Sequence, residues 1–447
     1  MESGEDHWWT SHPWYPQWYA IETGSENRKA LRVTAAASTS RALPYLTADL
    51  PGVGGVIKRF NEDFAVEELP LYPACGSGTH MYFLVEKQGL TTPAAIDQIA
   101  RALGKPRRDV GYAGQKDAHG VTRQWFSVEH VDESRVEAIG SDRLRVLSVT
   151  RHTNKLKLGH LAGNRFIVLI REIGADALER ARRIVEMLAR VGIPNYFGPQ
   201  RFGVRGDNAA IGEAVLKDDF ETAVALVLGR PGDRDHGPAR RAREAFDAGD
   251  IEESVRVWQR GFPQQAKLGR ALIGCDGNAA KAWRTVDHTM RKFYISAFQS
   301  ELFNQVVAKR IGTLARVSVG DIAWKHVNGA CFRVEDAAVE QPRCDAFEIS
   351  PTGPLFGPRM TDAGGETGLL EAAILATTGL TKDQIRATDG SKLAGERRAL
   401  RVPLHDASVE PGEDPAGRFL KLSFSLPSGC FATTVTRELC KTEVAES

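Results

Sequence analysis

The sequence predicts an α+β fold in which a mixed or antiparallel sheet is interrupted by a largely helical α/β insertion. Three observations support this fold class. Apolar residues alternate in short runs between residues 57 and 171, as they do in half-buried strands. After about residue 200, apolar residues recur at helical spacing with Pro and Gly between segments. Alternation returns beyond residue 400, so the last strand is expected to rejoin the first sheet.

Individual elements follow from the same patterns. Met81, Phe83 and Val85 alternate along one predicted strand, and the apolar residues after Thr92 repeat at three and four positions, which predicts a helix. Asp176 is expected to cap a second helix. The predicted strands are 64–69, 80–87, 109–113, 121–128, 144–149, 165–171 and 420–426. The predicted helices of the later chain are 208–216, 220–228, 239–246, 283–311 and 431–439.

Shifts in composition set the expected domain limits. Residues 1–50 contain Trp8, Trp9, Trp14 and Trp18 without a sustained period, which predicts a flexible N-terminal extension, with stacking of the tryptophans on bases as the alternative. The other predicted segments are a sheet domain at 51–198, an insertion at 199–401, and a return to the sheet domain at 402–447.

Charge distribution bears on possible partners. The formal charge of the 447 residues is +1, yet seven Lys or Arg residues and no acid lie between Arg143 and Arg171. This basic run predicts binding to an RNA backbone, with a solvated sheet face as the alternative.

Composition also excludes several classes of protein. Six scattered cysteines without a C-x-x-C pattern predict reduced thiols and no metal site. No stretch reaches the roughly 18 apolar residues of a membrane span, and no leader pattern opens the chain. We therefore expect a cytoplasmic protein without membrane contact.

The segment AGQKDAHGVTRQW places one carboxylate, Asp117, in a glycine-bounded loop between two predicted strands. Lys116, His119 and Arg123 surround it in the sequence. Nearby cations keep a carboxylate ionised and attract phosphates, which suits a nucleophile for a polyanionic substrate. The alternative for such an acid is a turn residue that bonds to local backbone amides.

This segment resembles the catalytic motif of the TruD family of tRNA pseudouridine synthases, A-G-x-K-D followed by A-x-T-x-Q. Gly120 stands where the family usually has alanine, a departure expected to change little sterically. Five further stretches resemble family signatures in the same order, with Asn61 in place of a proline: KRFNEDFAVE at 58–67, AGNRF at 162–166, NYFGPQRFG at 195–203, FNQVVAKR at 303–310 and LPSGCFATTVTREL at 426–439.

The resemblance implies a pseudouridine synthase catalytic domain that, with its insertion, forms a cleft for tRNA. It implies Asp117 as the catalytic aspartate and Lys58 as the basic neighbour that holds it ionised. The positions that contact or wall the target uridine are Phe64, Asn164, Phe166 and Phe431. A core position is the ordinary alternative for each phenylalanine, a solvated lysine for Lys58 and a turn for Asn164.

The implied reaction turns a uridine, at position 13 in the D arm of tRNA, into pseudouridine without a cofactor or metal. The aspartate begins it either by attack at C6 of the base or by promoting loss of uracil from the ribose. A monomer is expected. An RNA-binding or RNA-folding protein without essential catalysis is the alternative, and a glycosidase is disfavoured because only one acid is clearly placed.

Overall fold

The computed structural model describes residues 43–116, 118–385 and 393–441. Asp117 and the tryptophan-rich start lie outside these described residues. The described chain forms two compact units: unit 1 contains 45–116, 118–193 and 402–441, and unit 2 contains 43–44, 194–385 and 393–401. The domain limits drawn from composition stay predictions.

The described strands are short to medium in length, and β8 and β13 pair as a separate two-stranded sheet. They are β1 Phe64–Pro70, β2 His80–Gln88, β3 Gly111–Tyr112, β4 Val121–Glu129, β5 Gly140–Ser141, β6 Leu144–His152, β7 Leu161–Arg171, β8 Ile193–Pro194, β9 Ile322–Lys325, β10 Cys331–Arg333, β11 Ile349–Leu355, β12 Glu396–Ala399, β13 Arg401–Val402, β14 His405–Asp414 and β15 Gly417–Pro427.

Helices dominate the first half of unit 2. The described helices are α1 Thr92–Leu103, α2 Glu133–Glu137, α3 Ala177–Val191, α4 Asn208–Leu216, α5 Phe220–Leu228, α6 Gly237–Asp247, α7 Ile251–Trp258, α8 Pro263–Gly274, α9 Ala279–Trp283, α10 His288–Arg310, α11 Ala337–Asp345, α12 Gly365–Ala376 and α13 Ala432–Cys440. In the described ranges, none of these helices is both long and apolar enough to cross a membrane.

Unit 1 is built on a nine-stranded sheet with the order β14-β15-β7-β1-β4-β2-β6-β5, and β3 pairs with β4 as well. The β1–β4 pair is parallel, and the other pairs along this path are antiparallel. The α+β prediction is confirmed, and the C-terminal strand does return to the first sheet.

Two hydrophobic cores lie on one face of this sheet. The first packs Phe166, Val168 and neighbouring strand residues against α3 and α13. The second packs Phe83, Val85 and Phe126 against α1. Between the two cores the same face carries polar side chains, and this interruption positions the candidate site.

Unit 2 combines a helical core with a four-stranded sheet of order β10-β9-β11-β12. Arg201 of the NYFGPQRFG stretch is an internal residue of this unit. Its guanidinium donates to the hydroxyl groups of Ser296 and Ser300 and lies over the ring of Phe197. Burial and the nearby Arg398 lower the pKa of Arg201 to about 10. These contacts give Arg201 a structural role.

Some boundaries differ from the sequence prediction. The strand expected at 109–113 is limited to Gly111–Tyr112, because a 3-10 turn occupies Arg107–Asp109. The run predicted at 283–311 is broken, since Asp287 caps a new helix through the Thr289 amide. Asp176 precedes α3 without a capping hydrogen bond and pairs with Arg180 instead.

Candidate active site

The loop of the Asp117 motif lies where β1 and β3 pair in succession with the same edge of β4. We call this junction the fork. β1 pairs with β4 at Ala65–Glu67 and Val121–Arg123. β3 then takes the same edge of β4, pairing with Phe126 and Ser127, because β2 occupies the other edge. The loop between β3 and β4, residues 113–120, therefore lies where β1 leaves and β3 arrives. Asp117 is outside the described residues, but both of its flanks are described.

Glu68 fills the fork. Trp125 lies beyond Arg123, the last residue of β4 that pairs with β1, so its amide has no partner on that strand. The amide donates instead to Glu68 Oε2 at 3.1 Å. Glu68 Oε1 lies 4.0 Å from Lys116 Nζ, and both side chains are almost fully buried. Burial raises the pKa of Glu68 above its ordinary value of 4.5, and the Lys116 ammonium and the Trp125 amide oppose this rise without cancelling it.

A row of polar side chains, buried except for the half-buried Asn164, crosses the sheet beside this loop. Thr122 is the register partner of Val66 and of Lys87, and Asn164 is the partner of Glu68, so all of them share the face that carries the two cores. We call Glu68, Lys87, Thr122, Gln124 and Asn164 the polar row. Among the described residues, no hydrogen-bond partner reaches Glu68 Oε1, Thr122 Oγ1 or Asn164 Oδ1. Unsatisfied buried polar atoms are uncommon in proteins, so three in one row make this a candidate site for a ligand.

Gly120 closes the loop against Phe64. Its φ is +133°, and a Cβ at this position would lie 2.5 Å from the Phe64 carbonyl oxygen and 3.1 Å from its ring. The expectation that glycine in place of alanine changes little sterically is therefore wrong for this chain. The close approach joins the loop to the start of β1.

Phe64 is in contact with both Lys58 and Phe166. The Lys58 ammonium lies 4.6 Å from the centre of the Phe64 ring, and the Phe64 and Phe166 rings are 6.2 Å apart. Lys58 adopts φ of +58°, a conformation that few residues other than glycine adopt. Phe166 stacks on Phe424 at 5.3 Å, and both Phe64 and Phe166 belong to the first core. The two phenylalanines thus lie beside the polar row, on the same face of the sheet.

Phe431 comes from the C-terminal segment. It is half-buried and directly precedes α13. Leu426 pairs with Asn164, and the Ser428 amide donates to the Ala162 carbonyl. The turn leading to Phe431 therefore runs beside the start of β7. Asn164 and Phe166 lie on the same face of β7, and Phe166 and Lys58 each contact Phe64. The structure gives no ring contact for Phe431 among the described residues.

The basic run divides into two groups. Arg171 is structural, because its guanidinium is buried between Asp63 and Asp414. Arg145 pairs with Glu86. The remaining cations of the run are exposed or half-buried: Arg143, Arg151, Lys155, Lys157 and Arg165. RNA binding by these residues stays a prediction.

Comparison with known proteins identifies the family. The family model of tRNA pseudouridine synthase D (TruD) matches residues 42–439. This chain belongs to the TruD family. It is 46% identical over 400 residues to the tRNA pseudouridine synthase D of Syntrophotalea carbinolica, covering 90% of this chain and 99% of that protein. With the tRNA pseudouridine synthase D of Geobacter metallireducens it shares 48% over 397 residues, covering 89% and 97%.

A solved structure agrees with the TruD assignment. The crystal structure of a Methanosarcina mazei protein assigned to TruD superposes with a TM-score of 0.79 at 25% identity, covering 89% of this chain and 96% of that one. The resemblance read from the six motifs is confirmed. In the described part of this TruD chain, no group of three or more His, Cys, Asp or Glu side chains is placed to hold a metal ion.

Three buried polar residues beside the loop were not predicted from the sequence motifs: Glu68, Lys87 and Thr92. Each had only a weak signal in the sequence. Glu68 directly follows the KRFNEDFAVE stretch, while Lys87 and Thr92 lie at predicted element ends, where polar residues are normally solvated. Their burial depends on strand register, which the sequence alone does not give.

Proposed function

We propose that this protein converts a uridine of tRNA, at position 13 in the D arm, into pseudouridine, with Asp117 as the catalytic aspartate. As a member of the TruD family it is an isomerase. We further propose that it acts in the cytoplasm as a monomer, and that residues 51–198 and 402–447 form the catalytic domain around an insertion at 199–401.

The three unsatisfied atoms of the polar row carry this proposal. They lie beside the loop that contains Asp117, and they offer acceptors to a polar ring. Asn164 Oδ1, buried and without a partner among the described residues, is suited to accept from N3–H of uracil. A buried acceptor that is satisfied only by substrate rejects analogues that lack the donor.

The reaction breaks the C1'–N1 bond, turns the base, and rejoins it through C5. The base must leave its stack first, which costs a few kcal/mol, and aromatic stacking of about 1–3 kcal/mol per base offsets much of this. Phe431 is half-buried and offers a ring for this contact, whereas Phe64 and Phe166 wall the pocket from within the core. Lys58, beside Phe64, supplies positive charge that keeps the Asp117 carboxylate ionised.

The direct test measures tritium release from transcribed tRNA that carries 5-tritiated uridine, because rejoining through C5 expels that hydrogen. We expect wild type to release tritium, Asp117→Asn to release none above background, and tRNA with cytidine at position 13 to lose the signal. Asp109→Asn, in the 3-10 turn just before β3, is the matched control and should retain activity. Equal release by wild type and Asp117→Asn would overturn the role of Asp117.

A second measurement separates catalysis from RNA binding. Asp117→Asn should bind tRNA as tightly as wild type, because one loop carboxylate adds no contact to phosphate. If wild type makes no pseudouridine while wild type and the variant refold misfolded tRNA equally, the protein is an RNA-folding factor.

A further inference from the structure

The residue before Asp117 is held on both of its backbone groups. The Lys116 amide donates to Thr92 Oγ1 at 2.8 Å. The Lys116 carbonyl, which belongs to the peptide bond leading into Asp117, lies 3.3 Å from Thr92 Oγ1 and 3.5 Å from Lys87 Nζ. Thr92 and Lys87, two buried side chains outside the loop, therefore hold the peptide groups on both sides of Lys116.

Thr92 is not needed by its own helix. It is the first residue of α1, and the capping hydrogen bond is made by the preceding residue, Thr91, whose hydroxyl accepts from the Ala94 amide at 3.3 Å. The Thr92 hydroxyl instead faces the loop and Gln124 Oε1, 3.1 Å away. Burying a hydroxyl without a hydrogen bond is costly. The Thr92 oxygen accepts from the Lys116 amide, and its single proton is placed to reach either Gln124 Oε1 or the Lys116 carbonyl.

Lys87 and Gln124 hold neighbouring points. The Lys87 ammonium donates to the Leu90 carbonyl at 2.6 Å, and this bond holds it 3.5 Å from the Lys116 carbonyl. Gln124 Nε2 donates to the Gly114 carbonyl. The loop is thus fixed at residues 114 and 116 by side chains from α1, β2 and β4.

We propose that Thr92 and Lys87 are positioning residues for Asp117. They fix both peptide groups of Lys116, the residue that directly precedes Asp117 in the chain. Displacing a catalytic group by about 1 Å costs roughly a hundredfold in rate, so a grip on the preceding peptide acts on the chemical step. This inference rests on the proposed function.

The test compares two adjacent threonines. Thr92→Val removes the hydroxyl that holds Lys116, and Thr91→Val removes the helix cap and leaves the loop bonds. We expect Thr92→Val to lower kcat by about tenfold or more with KM for tRNA nearly unchanged, since the loss falls on the transition state. Thr91→Val should lower thermal stability while kcat stays close to that of wild type. Thr92→Ser should restore kcat.

Hydrogen exchange gives a readout that does not require activity. The amides of residues 113–120 should exchange faster in Thr92→Val and in Lys87→Met than in Thr91→Val. Equal kcat in the two valine variants, or no rescue by serine, would overturn the positioning role. If wild type itself forms no pseudouridine, the proposed function fails, and faster exchange in Thr92→Val would still show that Thr92 holds the loop.

Discussion

Two charged clusters in unit 1 differ in how fully their charges are paired. In the Arg171 cluster, the guanidinium bonds to both oxygens of Asp63 at 2.9–3.0 Å and to both of Asp414 at 2.7–2.9 Å. In the Glu68–Lys116 pair the charged atoms are 4.0 Å apart, and Glu68 Oε1 has no hydrogen bond among the described residues.

The difference indicates separate roles. A saturated cluster leaves nothing for a ligand to bind, and it joins the 3-10 turn before β1 to β7 and β14. A loosely paired carboxylate in a buried fork keeps an acceptor available next to the loop that contains Asp117. Perturbed and under-satisfied groups concentrate at functional sites, so the looser pair is the one that fits the proposed site.

Breaking the Arg171 cluster should have the largest effect on stability. Arg171→Met leaves Asp63 buried without its partner, and we expect a loss of about 3–5 kcal/mol in the free energy of unfolding. Urea denaturation measures it. Arg59→Met, which breaks the exposed pair with Glu172, is the control and should change stability by less than about 1 kcal/mol. Equal losses would remove the contrast between the clusters.

Substitutions in the loop that contains Asp117 should lower activity more than stability. Gly120→Ala introduces a Cβ against the Phe64 carbonyl at a φ of +133°, and we expect a loss of about 1–3 kcal/mol together with a fall in kcat. Gly76→Ala is matched in having a positive φ of +75° but has no atom within 4 Å of the new Cβ. That control should lose some stability and keep kcat; a similar fall in kcat would contradict the steric explanation.

Glu68 should make stability depend on pH with a defined sign. Because its pKa is raised in the folded protein, the native state holds this proton more tightly than the unfolded state does. As pH rises from the ordinary value of 4.5 toward the raised pKa, wild type should lose stability relative to Glu68→Gln. Urea unfolding of both proteins across this range measures the difference, and parallel pH profiles would refute it.

The smallest effect should come from exposed cations outside both clusters. Arg165→Gln removes one charge from the surface of β7 and should reduce the slope of log affinity for tRNA against log salt by about one. Arg145→Gln is the comparison, because Arg145 already pairs with Glu86 and should change the slope less. Filter binding at several salt concentrations measures both.

Much of unit 1 could be read from local pattern. Strand alternation at 80–87 and helical spacing after Thr92 each depend on neighbours in the chain, and both elements appear as expected. The contacts around the loop could not be read this way. Lys87 looked like a solvated strand end, and it is buried because β4 and the loop cover it. The need for glycine at position 120 comes from a carbonyl of β1, which sequence spacing does not reveal.

The order of strands in the sheet has a consequence for how the chain folds during synthesis. β7 pairs with β1 on one edge and with β15 on the other, yet β15 is made only after the whole of unit 2. Until residues 417–427 leave the ribosome, the outer edge of β7 presents unpaired amides and carbonyls, a template for aggregation. The nascent chain is therefore exposed to misassembly for the time needed to translate unit 2, and a chaperone that shields this edge would raise the yield of folded protein.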